Sequence, residues 1–208
     1  MNILGHIRVA LAGGRDDAGY LLGAVLPDLA PMAGVRVERS ALRAALADGV
    51  RCHVRTDEVF HAHPVFVAGS RALRRALDDR GVASGPARAI GHAGWELLLD
   101  GTLVGTPTEA AFRRAMVVGG DATVAMSAAD ASRWAGFVDR GRAAPALGYD
   151  DPRWVADRLY AMLARRPRLR LPPDQVDVVA EVLGGLADRV REAGPEVVAD
   201  TARTVHGT

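Results

Sequence analysis

Histidine and carboxylate residues at helical spacing are the part of this sequence able to do chemistry. His53 and Asp57 stand at i and i+4 in GVRCHVRTDEVFHAH, and His92 and Glu96 repeat the spacing in AIGHAGWELLLDG. Residues four apart share one face of an α-helix, so each imidazole and its carboxylate can converge on one cation. Two helices that each offer such a pair to a shared interior can build a mono- or dinuclear metal site. His61 lies one turn further along the first stripe, and His6 and Asp28 are candidates to complete the shell. Such donors suit manganese, iron, zinc or magnesium, and spacing alone does not choose among them. A divalent metal so held can activate water and clamp a phosphoryl group. The chemistry expected is therefore phosphodiester hydrolysis, with Arg55 or an arginine of the 165 region offsetting charge. His61 or His63 would protonate the leaving group.

Each feature also has a plain structural role. A histidine–carboxylate pair at i, i+4 serves equally as a surface hydrogen bond, and His6, in an apolar stretch, could be a satisfied core histidine. His61 and His63 could simply be exposed around the bend at Pro64, and His206 lies in the tail. Cys52 is next to His53, but neighbours on a helix point about 100° apart, which argues against a thiol–imidazole pair. No phosphate-binding loop, no G-x-S-x-G and no dinucleotide fingerprint is present.

The elements that must position these residues read as helices almost throughout, because apolar residues recur at three- and four-residue spacing. Expected helices cover Ile3 to Leu11; YLLGAVLPDLA, capped by Asp16 or Asp17 and broken at Pro27; and SALRAALADGV, capped by Ser40. Another runs from about Gly49 toward Arg80, bent or restarted at Pro64, and a further one follows from near Pro86 to Gly101. Later helices are expected from Thr106 to Gly119, over SAADASRWAGFVDRG and DDPRWVADRLYAMLARR, from Pro173 to about Arg191, and marginally after Pro195. The expected fold is all-α, a single-domain helical bundle over 1–208. Residues 1–105 would form the metal-site half, and 106–208 the supporting helices with the RRPRLR segment.

Composition agrees with this. The 208 residues are 49% hydrophobic and only 5% aromatic, so the core must rest on Ala, Leu and Val, which suits helices. The net charge of +1 argues against nucleic acid as a partner, and every basic residue is arginine. The single cysteine can form no internal disulfide, and no run approaches the roughly 20 apolar residues of a membrane span. The start of the sequence, interrupted by His6 and Arg8, does not resemble a signal peptide. The expectation is a cytoplasmic protein without membrane association.

Four motifs together resemble the bacterial acyl carrier protein phosphodiesterases: Met1-Asn2-x-Leu4-x-His6, Leu21-Leu22-Gly23-x-x-x-x-Asp28, Gly49-x-x-x-His53-x-x-x-Asp57, and Arg165-Arg166-Pro167-Arg168-Leu169. The resemblance implies an HD-domain-like helical fold, a divalent metal, typically manganese, and release of the 4′-phosphopantetheine arm from a carrier protein. His6, Asp28, His53 and Asp57 would be the matching polar positions. Arg165, Arg166, Arg168 and Arg170 would dock the carrier's acidic surface. The sequence departs from the family pattern at His61, His92 and Leu97, and its fuller histidine set would suit zinc or iron. The substrate would then be an acyl carrier protein or a small phosphodiester. Two alternatives stay open: an HD-like di-iron oxygenase, and a non-catalytic binding module retaining the fold.

Overall fold

The computed structural model describes residues 1–143 and 147–208, and among them only helices, turns and loops occur. The α-helices are α1 (Ile3–Ala12), α2 (Ala18–Ala33), α3 (Ala44–Ala62), α4 (Pro64–Asp79), α5 (Ser84–Gly101), α6 (Pro107–Val117), α7 (Ala128–Ala143), α8 (Pro152–Leu163) and α9 (Val176–His206). Short 3-10 turns cover Arg39–Ala41, Gly119–Ala125, Pro167–Leu169 and Pro173–Gln175. The all-α expectation holds.

Local chemistry sets most boundaries. The Asp17 carboxylate accepts from the Tyr20 N–H to cap α2, which ends at Gly34 with φ 68°. Thr106 and Asp151 cap α6 and α8, each followed by a proline at the first helical position. His63 separates α3 from α4, and its Nδ1 accepts from the Val65 N–H ahead of Pro64.

Four expected boundaries differ. α2 runs unbroken through Pro27 and Pro31, because Leu26, Leu29 and Ala30 on the same turns are buried against neighbouring helices. That packing outweighs the roughly 3 kcal/mol cost of a helical proline. α3 is likewise unbroken at Gly49, and Ser40 caps nothing there: its hydroxyl donates to Glu38 within the preceding turn. α9 continues through Pro195, held by buried Val190, Val197 and Val198. The tail, expected to fray, is docked: His206 Nε2 lies 2.9 Å from the Val9 carbonyl oxygen.

The helices enclose two apolar clusters. Leu73, Leu98, Leu159 and Leu183 represent the first, formed mainly by α4, α5, α8 and α9. Leu22, Leu26, Leu46 and Trp134 represent the second, formed mainly by α2, α3, α6 and α7. The clusters meet at α1, which gives Val9 to the first and Ile3 and Ile7 to the second. The polar residues singled out by spacing lie along this seam. α2 and α3 are pressed together there by paired glycines. A Cβ on Gly49 would overlap the Tyr20 carbonyl oxygen and lie 2.6 Å from the Ala24 nitrogen. A Cβ on Gly23 would lie 2.9 Å from Leu46 Cα.

Candidate metal centre

His6 on α1 is fully buried, and its ring stacks on that of His53 on α3 with centroids 3.9 Å apart. The Nε2 atoms of both rings face two carboxylates. His6 Nε2 lies 3.2 Å from Asp57 Oδ1 and 3.8 Å from Asp28 Oδ2. His53 Nε2 lies 3.5 Å from Asp57 Oδ2 and 4.0 Å from Asp28 Oδ1. Metal–ligand bonds of about 2.1 Å place neighbouring donors roughly 3 to 3.5 Å apart, so His6, Asp28 and His53 are close to the spacing a bound cation requires, and Asp57 adjoins both imidazoles. His53 Nδ1 is 2.9 Å from the Ala24 carbonyl oxygen. Donation of its N–H there leaves Nε2 with a lone pair toward the carboxylates, as in histidines that ligate metals.

Hydrogen bonding leaves this group incomplete. Both ring nitrogens of His6 and Oδ2 of Asp28 are buried with no hydrogen-bond partner. His6 Nε2 approaches Asp57, but off the line of a hydrogen bond. Buried polar atoms in folded proteins are nearly always paired, so the two orphans that face each other, His6 Nε2 and Asp28 Oδ2, point to a missing partner they can share.

The electrostatics suit a cation. Burial lowers the His6 imidazole to about 3, so it is neutral at physiological pH. Burial pushes Asp28 up to about 6, against the pull of His53 and the Met1 ammonium. Burial also raises Asp57, but the imidazoles of His53 and His6 and the ammonium outweigh it and hold this carboxyl far below the usual range. Neutral imidazole beside an ionised carboxylate is the protonation state a metal needs.

A second group adjoins the first. His61 Nε2 lies 2.9 Å and His92 Nε2 3.2 Å from Glu96 Oε1, and these donor atoms too would fit around an ion. Here the groups satisfy one another, since His61 and Glu96 form a hydrogen bond. Burial raises the Glu96 carboxyl, and the two imidazoles more than reverse this, leaving it well below the usual range. The Met1 ammonium lies between the groups, 2.8 Å from Asp57 Oδ1, 3.1 Å from Glu96 Oε1 and 3.3 Å from His61 Nε2.

The single shell expected from the sequence is thus two adjoining groups: His6, Asp28, His53 and Asp57 on one side, His61, His92 and Glu96 on the other. Asp28 reaches the first from the middle of α2 and not from a helix break. His61 stands beside Glu96, at 2.9 Å, and lines the hollow shared with His53 and Asp57. His63 is engaged elsewhere, as the α4 cap and 3.6 Å from Asp200 on α9. Arg55 is exposed, pairs with Glu58 at 3.4 Å, and lies outside the hollow that opens on His53 and Asp57. The run Arg165, Arg166, Arg168 and Arg170 is exposed and lies around the 3-10 turn after α8. Arg166 lines a cleft of about 340 Å³ with Arg88 and His92.

Two residues outside the spacing argument matter here. Asp100 is fully buried at the end of α5, where it accepts from Asn2 Nδ2 (2.8 Å) and from the backbone N–H groups of Leu4 (2.9 Å) and Gly5 (2.8 Å). A carboxylate from a distant helix thereby caps α1 and fixes His6 one turn on. Burial pushes Asp100 up to about 7, against the two backbone donors. Arg39, in the turn before α3, lines a hollow of about 420 Å³ with His53, Asp57 and His61.

Comparison with family models, with curated proteins and with solved structures found no match. No helix among the described residues is long and apolar enough to cross a membrane.

Proposed function

We propose that this chain is a metal-dependent phosphodiester hydrolase whose metal is held by His6, Asp28, His53 and Asp57. The observation that carries the reading is the convergence of His6, Asp28 and His53 at cation spacing, with Asp57 against both imidazoles and with His6 Nε2 and Asp28 Oδ2 left unpaired in the core. Two imidazoles and two carboxylates suit manganese, iron or zinc, and the resemblance to acyl carrier protein phosphodiesterases favours manganese. A divalent metal bound there would supply Lewis-acid polarisation of a phosphoryl oxygen and lower the pKa of a bound water.

The protein's own residues do the rest. Burial of His6 keeps water from the inner side of the group, while Asp28 and Asp57 are about 30% exposed and leave the outer side open to substrate. His61, hydrogen-bonded to Glu96 and lining the same hollow as Asp57, would deliver a proton to a leaving alkoxide. The cleft of Arg88 and Arg166 next to His92 supports an acidic carrier as the larger half of the substrate.

Hydrolysis of bis(p-nitrophenyl) phosphate by the manganese-loaded protein tests this reading. Activity abolished by chelation, restored by manganese and reduced at least 100-fold in Asp57→Asn is the expected result. Iron-dependent oxygen consumption without phosphodiester cleavage would replace the hydrolase with an oxygenase. No metal-dependent turnover of either kind would leave a binding module.

A further inference from the structure

Arg39 plays no part in holding the metal-site side chains, yet it stands at the junction of three hollows. The first is shared with His53, Asp57 and His61. The second, of about 320 Å³, has Leu42, Ala47, Val50 and Val54 as its apolar wall and Arg51, Arg55 and Glu58 along its charged side. The third, of about 180 Å³, lies between α2 and the loop after it and is lined by Leu26, Ala30, Val35 and Val37. Val54 belongs to the first and second, and Pro27 to the first and third, so one continuous depression leads from the carboxylates onto an apolar floor.

Two observations tell what such a depression takes. The Arg39 side chain is exposed and makes no hydrogen bond or ion pair among the described residues, in a protein where most arginines near carboxylates are paired. Its turn is nevertheless fixed, by the Glu38 N–H donating to the Ala125 carbonyl (2.8 Å) and by Ser40 donating to Glu38 (2.7 Å). An unpaired guanidinium carried on a fixed turn is well shaped to grip two oxygens of a phosphate. Beyond it, Val54 is 40% exposed on α3 and offers apolar surface with no protein covering it.

We propose that Arg39 binds the substrate phosphate and that the cleft of Leu42, Val50 and Val54 takes an apolar ester arm. The substrate class is then phosphodiesters with at least one apolar substituent, an inference that rests on the hydrolase reading for its phosphate.

Titration calorimetry of the manganese-loaded protein with diphenyl phosphate and dimethyl phosphate tests this, with phosphorus NMR for the weaker ligand. The wild type is expected to bind diphenyl phosphate at least tenfold more tightly. Arg39→Ala should weaken both ligands about tenfold or more, with partial recovery in Arg39→Lys. Val54→Asn, which removes apolar surface without adding charge, should weaken diphenyl phosphate alone. All three variants alter exposed side chains, so manganese content and Tm should match the wild type. Equal binding of the two ligands by the wild type, or undiminished binding by Arg39→Ala, overturns the proposal. If the protein takes up no manganese, the hydrolase reading fails by itself. Titration of the metal-free protein then decides the cleft: Arg39-dependent binding of diphenyl phosphate upholds it, and its absence overturns it.

Discussion

Replacing Gly49 by alanine sets two physical effects against each other with opposite signs. Glycine in a helix interior costs about 0.8–1 kcal/mol relative to alanine, so on propensity alone Gly49→Ala should stabilise α3. The added methyl, however, would overlap the Tyr20 carbonyl oxygen and lie 2.6 Å from the Ala24 nitrogen, where ordinary contact is about 3.5 Å. Both atoms are backbone, so no side chain can swing aside and α2 and α3 must part by about 1 Å. Overpacking of this kind costs roughly 1–3 kcal/mol and occasionally more, and rigid neighbours place it at the upper end. The same movement stretches the contact from His53 Nδ1 to the Ala24 carbonyl and draws Asp28 away from His53 and Asp57. A net loss of about 2 kcal/mol is expected, or roughly 4–8 °C in Tm for a chain of this size. Thermal unfolding followed by circular dichroism checks it. Gly184→Ala, on an exposed turn of α9 with nothing near its missing Cβ, is the control and should gain about 0.5–1 kcal/mol. If Gly49→Ala melted at or above the wild type, the close approach of α2 and α3 would be refuted as the device that assembles the site.

Asp100→Ala strands three buried donors, on Asn2, Leu4 and Gly5, and is expected to cost roughly 3–5 kcal/mol in urea unfolding. Asp100→Asn keeps one acceptor oxygen and should lose less, about 1–3 kcal/mol. The metal-free protein should lose stability in acid partly through His6. The unfolded imidazole titrates at 6.5 and the folded one at about 3, so between these values the unfolded state binds more protons and stability falls with pH. Relative to His6→Gln, the wild type should lose roughly 3 kcal/mol between pH 7 and 4. The depressed carboxyls of Asp57 and Glu96 add to the acid loss as they are protonated. Asp28 and Asp100, raised to about 6 and 7, act in the opposite sense and favour the fold at lower pH. The comparison with His6→Gln under identical conditions reports the histidine together with the part of the Asp57 depression that it supplies, and equal slopes would contradict its neutral burial.

What could be read from the sequence was what a single helix encodes. The i, i+4 pairs His53–Asp57 and His92–Glu96 follow from helical periodicity, and both are formed. That they belong to two adjoining groups depends on how α3 and α5 are set against α1, which no spacing records. Asp100 ends an apolar run and looks like a helix terminus; its partners are about a hundred residues away at the start of α1. Arg39 lies in a loop with no periodicity to mark it. The helices running through Pro27 and Pro195 were hidden because proline is read by its local cost, while the burial that offsets it is tertiary. His206 looked idle in the tail until α9 brought it to the Val9 carbonyl.

The central claim is that His6, Asp28, His53 and Asp57 hold a metal. Elemental analysis of the purified protein, before and after loading with manganese, tests it most directly when done beside His53→Ala and the milder Asp28→Asn. The account requires tightly held divalent metal in the wild type, a Tm that rises on loading, and loss of both in each folded variant. No metal in the wild type, with no thermal shift on adding manganese, iron or zinc, would contradict it.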